Sequence, residues 1–385
     1  MEKDYFEKKI KDKNLFRYEK EKRIYELIEQ REKFLLNENG NENENNINEE
    51  INSKAKILGL DDEKKKKEYR EIFCSTEGFK YILKHKGFDP ENAIIKLEKA
   101  VCDLSEFATI FHDYFTFPQI RYIMYQILEG LIKLHNLSYD INIFHNDLKT
   151  ENVFVIINNG NMKNEFLKIL ENKKRKEKYF EGISNINKSN INEFLQNLLR
   201  ECTFKIGDFD LSNIISNELK DIDFIPGPIE DIIDVDKEDC YELGCIFYYL
   251  KTGNYFHYVP NHNVVIFKNP SFNSKQNLTR NYLKLLNKML QVDRNFRLNC
   301  YDILSEDFFK IDNIKNVDLL TTKMKDDEDF IKFKDIYDIY LDNNKENFYL
   351  PIEDRGTFKL KNENIKYQKN ILIGESFDLS VKKKK

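Results

Sequence analysis

The chain has 385 residues, 41% hydrophobic and 13% aromatic, enough apolar material for a packed domain with additions and an argument against global disorder. Charged residues make up 34%, yet the formal net charge is only −5, so bulk electrostatics give no reason to expect a nucleic acid or an anionic membrane as partner. Six scattered cysteines without C-x-x-C spacing read as buried free thiols of a reducing compartment, and no apolar run is long enough to span a bilayer. The charged opening Met1-Glu2-Lys3-Asp4 predicts no signal peptide, so the expected location is cytoplasmic; the basic end Lys382 to Lys385 leaves the nucleus open.

Residues 5 to 36 carry dense Lys and Glu with Ile24, Leu27 and Ile28 at helical spacing, which predicts an amphipathic helix. Residues 37 to 52 are a low-complexity Asn/Glu tract that predicts a disordered loop. Residues 61 to 84 read as a second charged helix with Tyr69, Ile72, Phe73 and Phe79 on its apolar side. Ala93 to Leu97 is a short strand candidate. Phe117 to Asn136 is the clearest helix: Ile120, Ile123, Met124, Ile127, Leu131 and Leu134 recur at three-four spacing, and Pro118 marks its start.

That helix runs into His145-Asn146-Asp147-Leu148-Lys149-Thr150-Glu151-Asn152, the most informative stretch of the chain. An aspartate can accept a hydroxyl proton, a lysine can meet a phosphate, and an asparagine oxygen can hold a metal ion. Val153 to Ile157 is an apolar run of strand type closed by Asn158-Asn159-Gly160. Residues 158 to 202 are a polar interruption before the next strand, Phe204-Lys205-Ile206. The interruption reads as a surface insertion with a short helix near Phe194 to Leu199, in preference to a dedicated binding site. Its low apolar content predicts that it is not core and that deleting 161 to 200 leaves the domain folded. Asp208-Phe209-Asp210-Leu211-Ser212 follows, then the apolar helix candidate Asp239 to Gly253, then Met289 to Arg297. In the last seventy or so residues, Phe330 to Phe333 and Phe348 to Leu350 could dock on the domain.

Taken in order, these stretches resemble the protein-kinase superfamily. The octet is similar to the catalytic loop written H-R-D-L-K-x-x-N, and Asp208-Phe209-Asp210 to the metal-binding D-F-G with aspartate for glycine. The segment 239 to 253 is similar to the family's buried supporting helix, and Leu290 to Arg297 to its late L-x-x-D-x-x-x-R boundary. The resemblance covers roughly residues 90 to 312. It implies an α+β, two-lobed protein-kinase-like fold, with a small mixed N-lobe and a larger, mainly helical C-lobe. On that reading residues 1–52 are an extension or a divergent start of the N-lobe and 53–98 are the divergent N-lobe. Residues 99–312 are the C-lobe with the insertion 158–202, and 313–385 are a C-terminal extension with a basic end.

The resemblance further implies transfer of the γ-phosphoryl group of ATP, with Mg²⁺, to serine or threonine of protein substrates. Asp147 would be the base or hydroxyl-orienting group and Lys149 would neutralise the γ-phosphoryl oxygens. Asn152 and Asp208 would bind Mg²⁺. His145 and Asp239 would support the loop; an exposed helix N-cap is also a physically sound reading of Asp239, but the following Leu243-Gly244 favours the supporting role. Glu230, in Pro228-Ile229-Glu230, would pair with Arg297. Lys56, in Ser53-Lys54-Ala55-Lys56-Ile57-Leu58, is the candidate ATP lysine, with Glu71 as its partner and Glu68 as rival.

Three departures keep a second reading open, a pseudokinase serving as a nucleotide-binding or protein-binding scaffold. There is no G-x-G-x-x-G. Asn146 lacks the guanidinium that grips a phosphorylated activation loop, and only Ser212 and Ser216 are phosphorylatable between Asp208 and Glu230, so activation by such phosphorylation is not expected. Asp210 either restricts the loop where glycine gives freedom or binds metal itself.

Overall fold

The structure, a computed structural model, describes residues 5–10, 15–36, 49, 51–52, 66–67, 70–71, 74–138, 141–175, 191–216, 229–253, 279–291 and 294–309. Lys56, Glu68, Tyr69, Ile72, Phe73 and the chain from residue 310 onward lie outside the described residues.

Strands β1 (Tyr5–Lys9), β2 (His85–Asp89) and β3 (Ile94–Glu98) form an antiparallel sheet in the order β1-β3-β2. The helix expected over 5 to 36 therefore starts as a strand, because β3 supplies the edge on which Tyr5 to Lys9 satisfy their backbone groups. Helix α1 (Leu15–Leu36) follows and buries Tyr18, Glu21, Ile24, Tyr25, Leu27, Ile28 and Arg31, a stripe at three-four spacing. The second expected charged helix does not reach residue 84. Glu77–Tyr81 is a 3₁₀ turn, and Ile82 is already extended, bridging to Ile206.

The larger lobe is built on helix α2 (Leu104–Phe111), capped by the Asp103 carboxylate, and on the almost wholly buried helix α3 (Phe117–His135). Helix α3 opens with a capping box between Thr116 and Gln119 and with Pro118 in its first turn. A Cβ at Gly78 would stand 2.8 Å from the Glu129 carbonyl and from Lys133 Cβ, so only glycine lets the 3₁₀ turn lie against this helix.

Strands β4 (Cys102–Asp103), β5 (Ile141–Phe144), β6 (Val153–Ile157), β7 (Cys202–Ile206) and β8 (Asn213–Ser216) make two small sheets, ordered β4-β6-β7 and β5-β8. The strands flanking the insertion pair antiparallel from Val153 opposite Ile206 to Ile157 opposite Cys202.

Between them lie helices α4 (Gly160–Lys174) and α5 (Ile191–Glu201), and here the structure corrects the sequence reading. Phe166, Ile169, Leu195, Leu198 and Leu199 are fully buried in the same core as Phe107 and Phe111. The Phe166 ring lies 5.4 Å from that of Phe107. The segment is polar on average, but helical periodicity gathers its few apolar residues on one face, so a low apolar fraction did not mean a surface loop.

Helix α6 (Ile229–Thr252) crosses beneath the β5–β6 connection, its second half buried at Asp239, Cys240, Leu243 and Ile246 to Leu250. Helices α7 (Arg280–Met289) and α8 (Cys300–Leu304), N-capped by Thr279 and Asn299, pack against it. Among the described residues no helix is long and apolar enough to cross a membrane, and the six cysteines are free thiols.

Candidate active site

The β5–β6 connection carries the octet, and helix α6 fixes its backbone. The fully buried Asp239 accepts the His145 N–H on Oδ2 and the Asn146 N–H on Oδ1, both at 2.8 Å. Its Oδ2 also meets His135 Nε2 at 2.7 Å. Burial alone would raise the Asp239 carboxyl, but the His135 hydrogen bond and charge and the His145 N–H hold it below the usual range. Asp239 is therefore an internal anchor and not an exposed cap. Asn146 has φ 58°, a left-handed conformation that asparagine tolerates better than most residues. The His145 ring is within hydrogen-bond distance of the Gly207 carbonyl at 3.0 Å, and Ser212 Oγ donates to the His145 carbonyl at 3.1 Å.

The next residues converge on Asp147. Lys149 Nζ lies 2.6 Å from Asp147 Oδ2, and that hydrogen bond raises the lysine's pKa. Asn152 Nδ2 donates to the same Oδ2 at 3.0 Å and to the Asp147 carbonyl at 2.7 Å. Asn152 thus spends its N–H groups on Asp147 and keeps its amide oxygen, a hard ligand, for other use.

Opposite this loop lies a feature that sequence reasoning did not find. Lys8 Nζ, on β1, sits 2.6 Å from Glu21 Oε2 of α1 and 2.6 Å from Asp208 Oδ1. Glu21 is fully buried, and its Oε1 accepts the Phe209 N–H at 3.3 Å. Burial pushes the Glu21 carboxyl up while Lys8 opposes the rise. The Lys8 pKa is raised: burial pulls it down, but Glu21 and Asp208 prevail. The buried Phe209 ring stands between Tyr25 of α1, 5.2 Å away and edge-on, and His145, 5.5 Å away. Strand β1, helix α1 and the loops of His145 and Asp208 are therefore joined at one point.

The remaining sequence candidates are placed as follows. Lys56 lies outside the described residues, and Glu71 is exposed in a short helical piece; the lysine and glutamate beside Asp208 are Lys8 and Glu21. Arg297 Nη1 pairs with Glu238 at 2.9 Å. Glu230 falls in the first turn of α6, and its side chain is outside the described residues. Asp210 is not among the residues with positive φ, so its position does not demand glycine, and its carboxylate meets Arg17 of α1 at 3.4 Å. Ser212 is fully buried and serves as a tie to the loop. Lys8 and Glu21 left no readable signal, since each is one of many Lys and Glu residues in the first 36 positions.

Among the described residues no three His, Cys, Asp or Glu side chains group to hold a metal ion. Asn152 and Asp208 offer hard oxygens, and a Mg²⁺ site normally completes its shell with water and nucleotide phosphates.

This two-lobed α+β fold, with a lysine bridging a helix glutamate and Asp208 across from the Asp147 loop, is a divergent protein-kinase-like fold. No family model matches the chain. It is similar to the sensor for unfolded proteins in the ER, ire1, of Schizosaccharomyces pombe, at 29% identity over 185 residues. That match covers 45% of this chain and 16% of that protein, so the chain matches less than a fifth of the relative's length. Two solved structures of the Rad53 kinase domain and SCD2, one in complex with AMPPNP, match at 16% identity over 68% of this chain. They are covered to 80% and 82%, with TM-scores of 0.39 and 0.38.

Proposed function

We propose that the protein transfers the γ-phosphoryl group of ATP, with Mg²⁺, to serine or threonine hydroxyls of protein substrates. The observation that carries this reading is Lys8, held at 2.6 Å from both Glu21 and Asp208. A scaffold has no need to bury a carboxylate merely to orient a lysine at a second carboxylate. A phosphoryl-transfer site does, because its catalysis is mostly positioning and charge stabilisation.

In this reading Lys8 holds phosphates of ATP that are not transferred, and Glu21 fixes Lys8. Asp147 accepts the proton of the acceptor hydroxyl as its oxygen bonds to the γ-phosphorus. The bond from that phosphorus to the bridging oxygen breaks and ADP leaves. Lys149 exchanges Asp147 for the oxygens of the group in transit. Asn152 and Asp208 would hold Mg²⁺, which when bound neutralises phosphate charge. A lysine two residues after the aspartate resembles the serine/threonine-directed branch.

The test is a phosphate-transfer assay with Mg-ATP on wild type and Asp147→Asn, alongside a thermal-shift titration of both. Transfer is expected to fall by about 10²-fold or more in the variant, with an undiminished nucleotide shift. Wild-type protein with a Mg-ATP shift but no transfer would favour the pseudokinase scaffold; equal transfer by both proteins would remove Asp147 from the chemistry.

A further inference from the structure

Helix α6 grips the catalytic loop at three backbone N–H groups, and Asp239 takes only two of them. The third, of Leu148, donates to Glu242 Oε2 at 2.8 Å. Residues three apart share a helix face, so both carboxyl groups project toward the loop. Asp147 lies between Asn146, whose N–H is on Asp239, and Leu148, whose N–H is on Glu242. We propose that Glu242 is a positioning residue for phosphoryl transfer, fixing the backbone on the C-terminal side of Asp147 as Asp239 fixes it on the N-terminal side. The proposal rests on the reading of Asp147 as the group that receives the acceptor's proton.

The physical reason is the short lever between peptide and carboxylate. The two peptide planes that flank Asp147 are both held, its own N–H lying 3.3 Å from His145 Nδ1 and the Leu148 N–H resting on Glu242, so the φ and ψ of Asp147 have little freedom, and so has the direction of its side chain. Release of the Leu148 amide frees one of the two peptide planes. A displacement near 1 Å at a reacting group is enough to cost about 10²-fold in rate.

The surroundings of Glu242 show why its carboxyl can sit there. The carboxylates facing it are Asp239 and Glu238 on its own helix and Asp147 on the loop. The cations nearby are engaged: Arg297, from the turn before α8, is on Glu238 and over the Tyr241 ring at 4.5 Å, and Lys149 is on Asp147. Burial pushes the Glu242 carboxyl up to about 8; the Leu148 N–H opposes the rise, and Asp239 and Asp147 add to it. With its carboxyl raised to about 8, Glu242 is mostly protonated at neutral pH. Its oxygen still accepts the Leu148 N–H, and it adds no third negative charge beside Asp147 and Asp239. Glutamine has the same shape and the same acceptor.

The experiment compares wild type, Glu242→Gln and Glu242→Ala in the full chain. In Glu242→Ala, kcat is expected to fall about tenfold with the KM for ATP within about twofold, while Glu242→Gln stays within about threefold of wild type at neutral pH. The wild-type kcat profile should bend near pH 8, and that of Glu242→Gln should not. Hydrogen exchange at the Leu148 amide needs no turnover: it should run about tenfold faster in Glu242→Ala and at the wild-type rate in Glu242→Gln. Unchanged exchange in Glu242→Ala overturns the clamp, whatever the activity. Faster exchange with unchanged kcat overturns the positioning role. A wild type with the exchange difference but no transfer sinks the phosphoryl-transfer reading and the catalytic role with it, leaving only the clamp.

Discussion

Lys8 satisfies two carboxylates from one ammonium, and one of them is fully buried. Removing a single partner of such a pair leaves an uncompensated buried charge, which costs about 3 to 5 kcal/mol where the pair is well sequestered. Lys8 is one-fifth exposed, so the lower end applies. Lys8→Met is therefore expected to lower stability by about 3 kcal/mol and to abolish the Mg-ATP thermal shift. Lys56→Met should leave the shift in place. The reverse pattern would return the nucleotide to Lys56 and make Lys8 a structural tie. Ser212 gives a second prediction at this scale. Its hydroxyl is buried and donates to His145, so it is out of reach of a modifying enzyme while the site is assembled. Ser212→Ala should cost about 1 kcal/mol, the usual worth of one hydrogen bond, and phosphatase treatment of the wild type should leave transfer unchanged. A large loss on phosphatase treatment would mean that a phosphate outside this buried position supports activity.

At the scale of elements, α4 and α5 join the core through one face each. Phe166 packs on Phe107 and Phe111, at 5.4 and 6.1 Å between ring centroids. Phe166→Ala should destabilise by about 3 to 5 kcal/mol, as truncation of a fully buried phenylalanine does, read by chemical denaturation. Deletion of 161 to 200 should cost the cooperative melt, since Phe107 and Phe111 lose their cover. A shortened protein that melts like wild type would put α4 and α5 back on the surface. These elements also mark where the sequence was legible. The Asp147 loop, the Asp208 turn and α6 were readable as elements because each holds its candidate residues within one short contiguous stretch. The Lys8–Glu21 pair was not, because the two residues are set thirteen positions apart by a strand and a helix in a run dense with both residue types. Strand β1 looked helical for the same reason: its partner β3 is nearly ninety residues away and no local pattern announces it. Glu242 was passed over because its role is to a backbone amide, which no side-chain motif records.

At the scale of the whole molecule, α6 gathers several perturbed groups under the Asp147 loop, and their signs can be combined. Glu242 is raised to about 8 and Asp236 to about 6, burial leading in both cases. Unfolded carboxyls titrate near about 4, so between that value and the raised one the folded chain holds more protons than the unfolded chain, and stability falls as pH rises. His135 acts in the same direction. Burial works against its imidazolium, but Cys300 and Asp239 outweigh it and raise the pKa well above 6.5. Its contribution is complete below about 6.5 and is lost as pH rises through the folded value. Asp239 runs the other way: its lowered carboxyl stabilises above about 4 and loses that only as pH falls through the folded value. The three raised groups thus favour the mildly acidic side, with Asp239 setting the acid limit. The melting temperature of the wild type is expected to fall from about pH 5 to about pH 7, below the range in which Lys133, lowered by burial to about 7, acts the other way. In Glu242→Gln the fall should be shallower, because the amide keeps the Leu148 hydrogen bond without a proton to lose. A wild-type melting temperature that holds level or rises over that range, or a Glu242→Gln slope equal to wild type, would mean that these groups carry their ordinary charges beneath the loop.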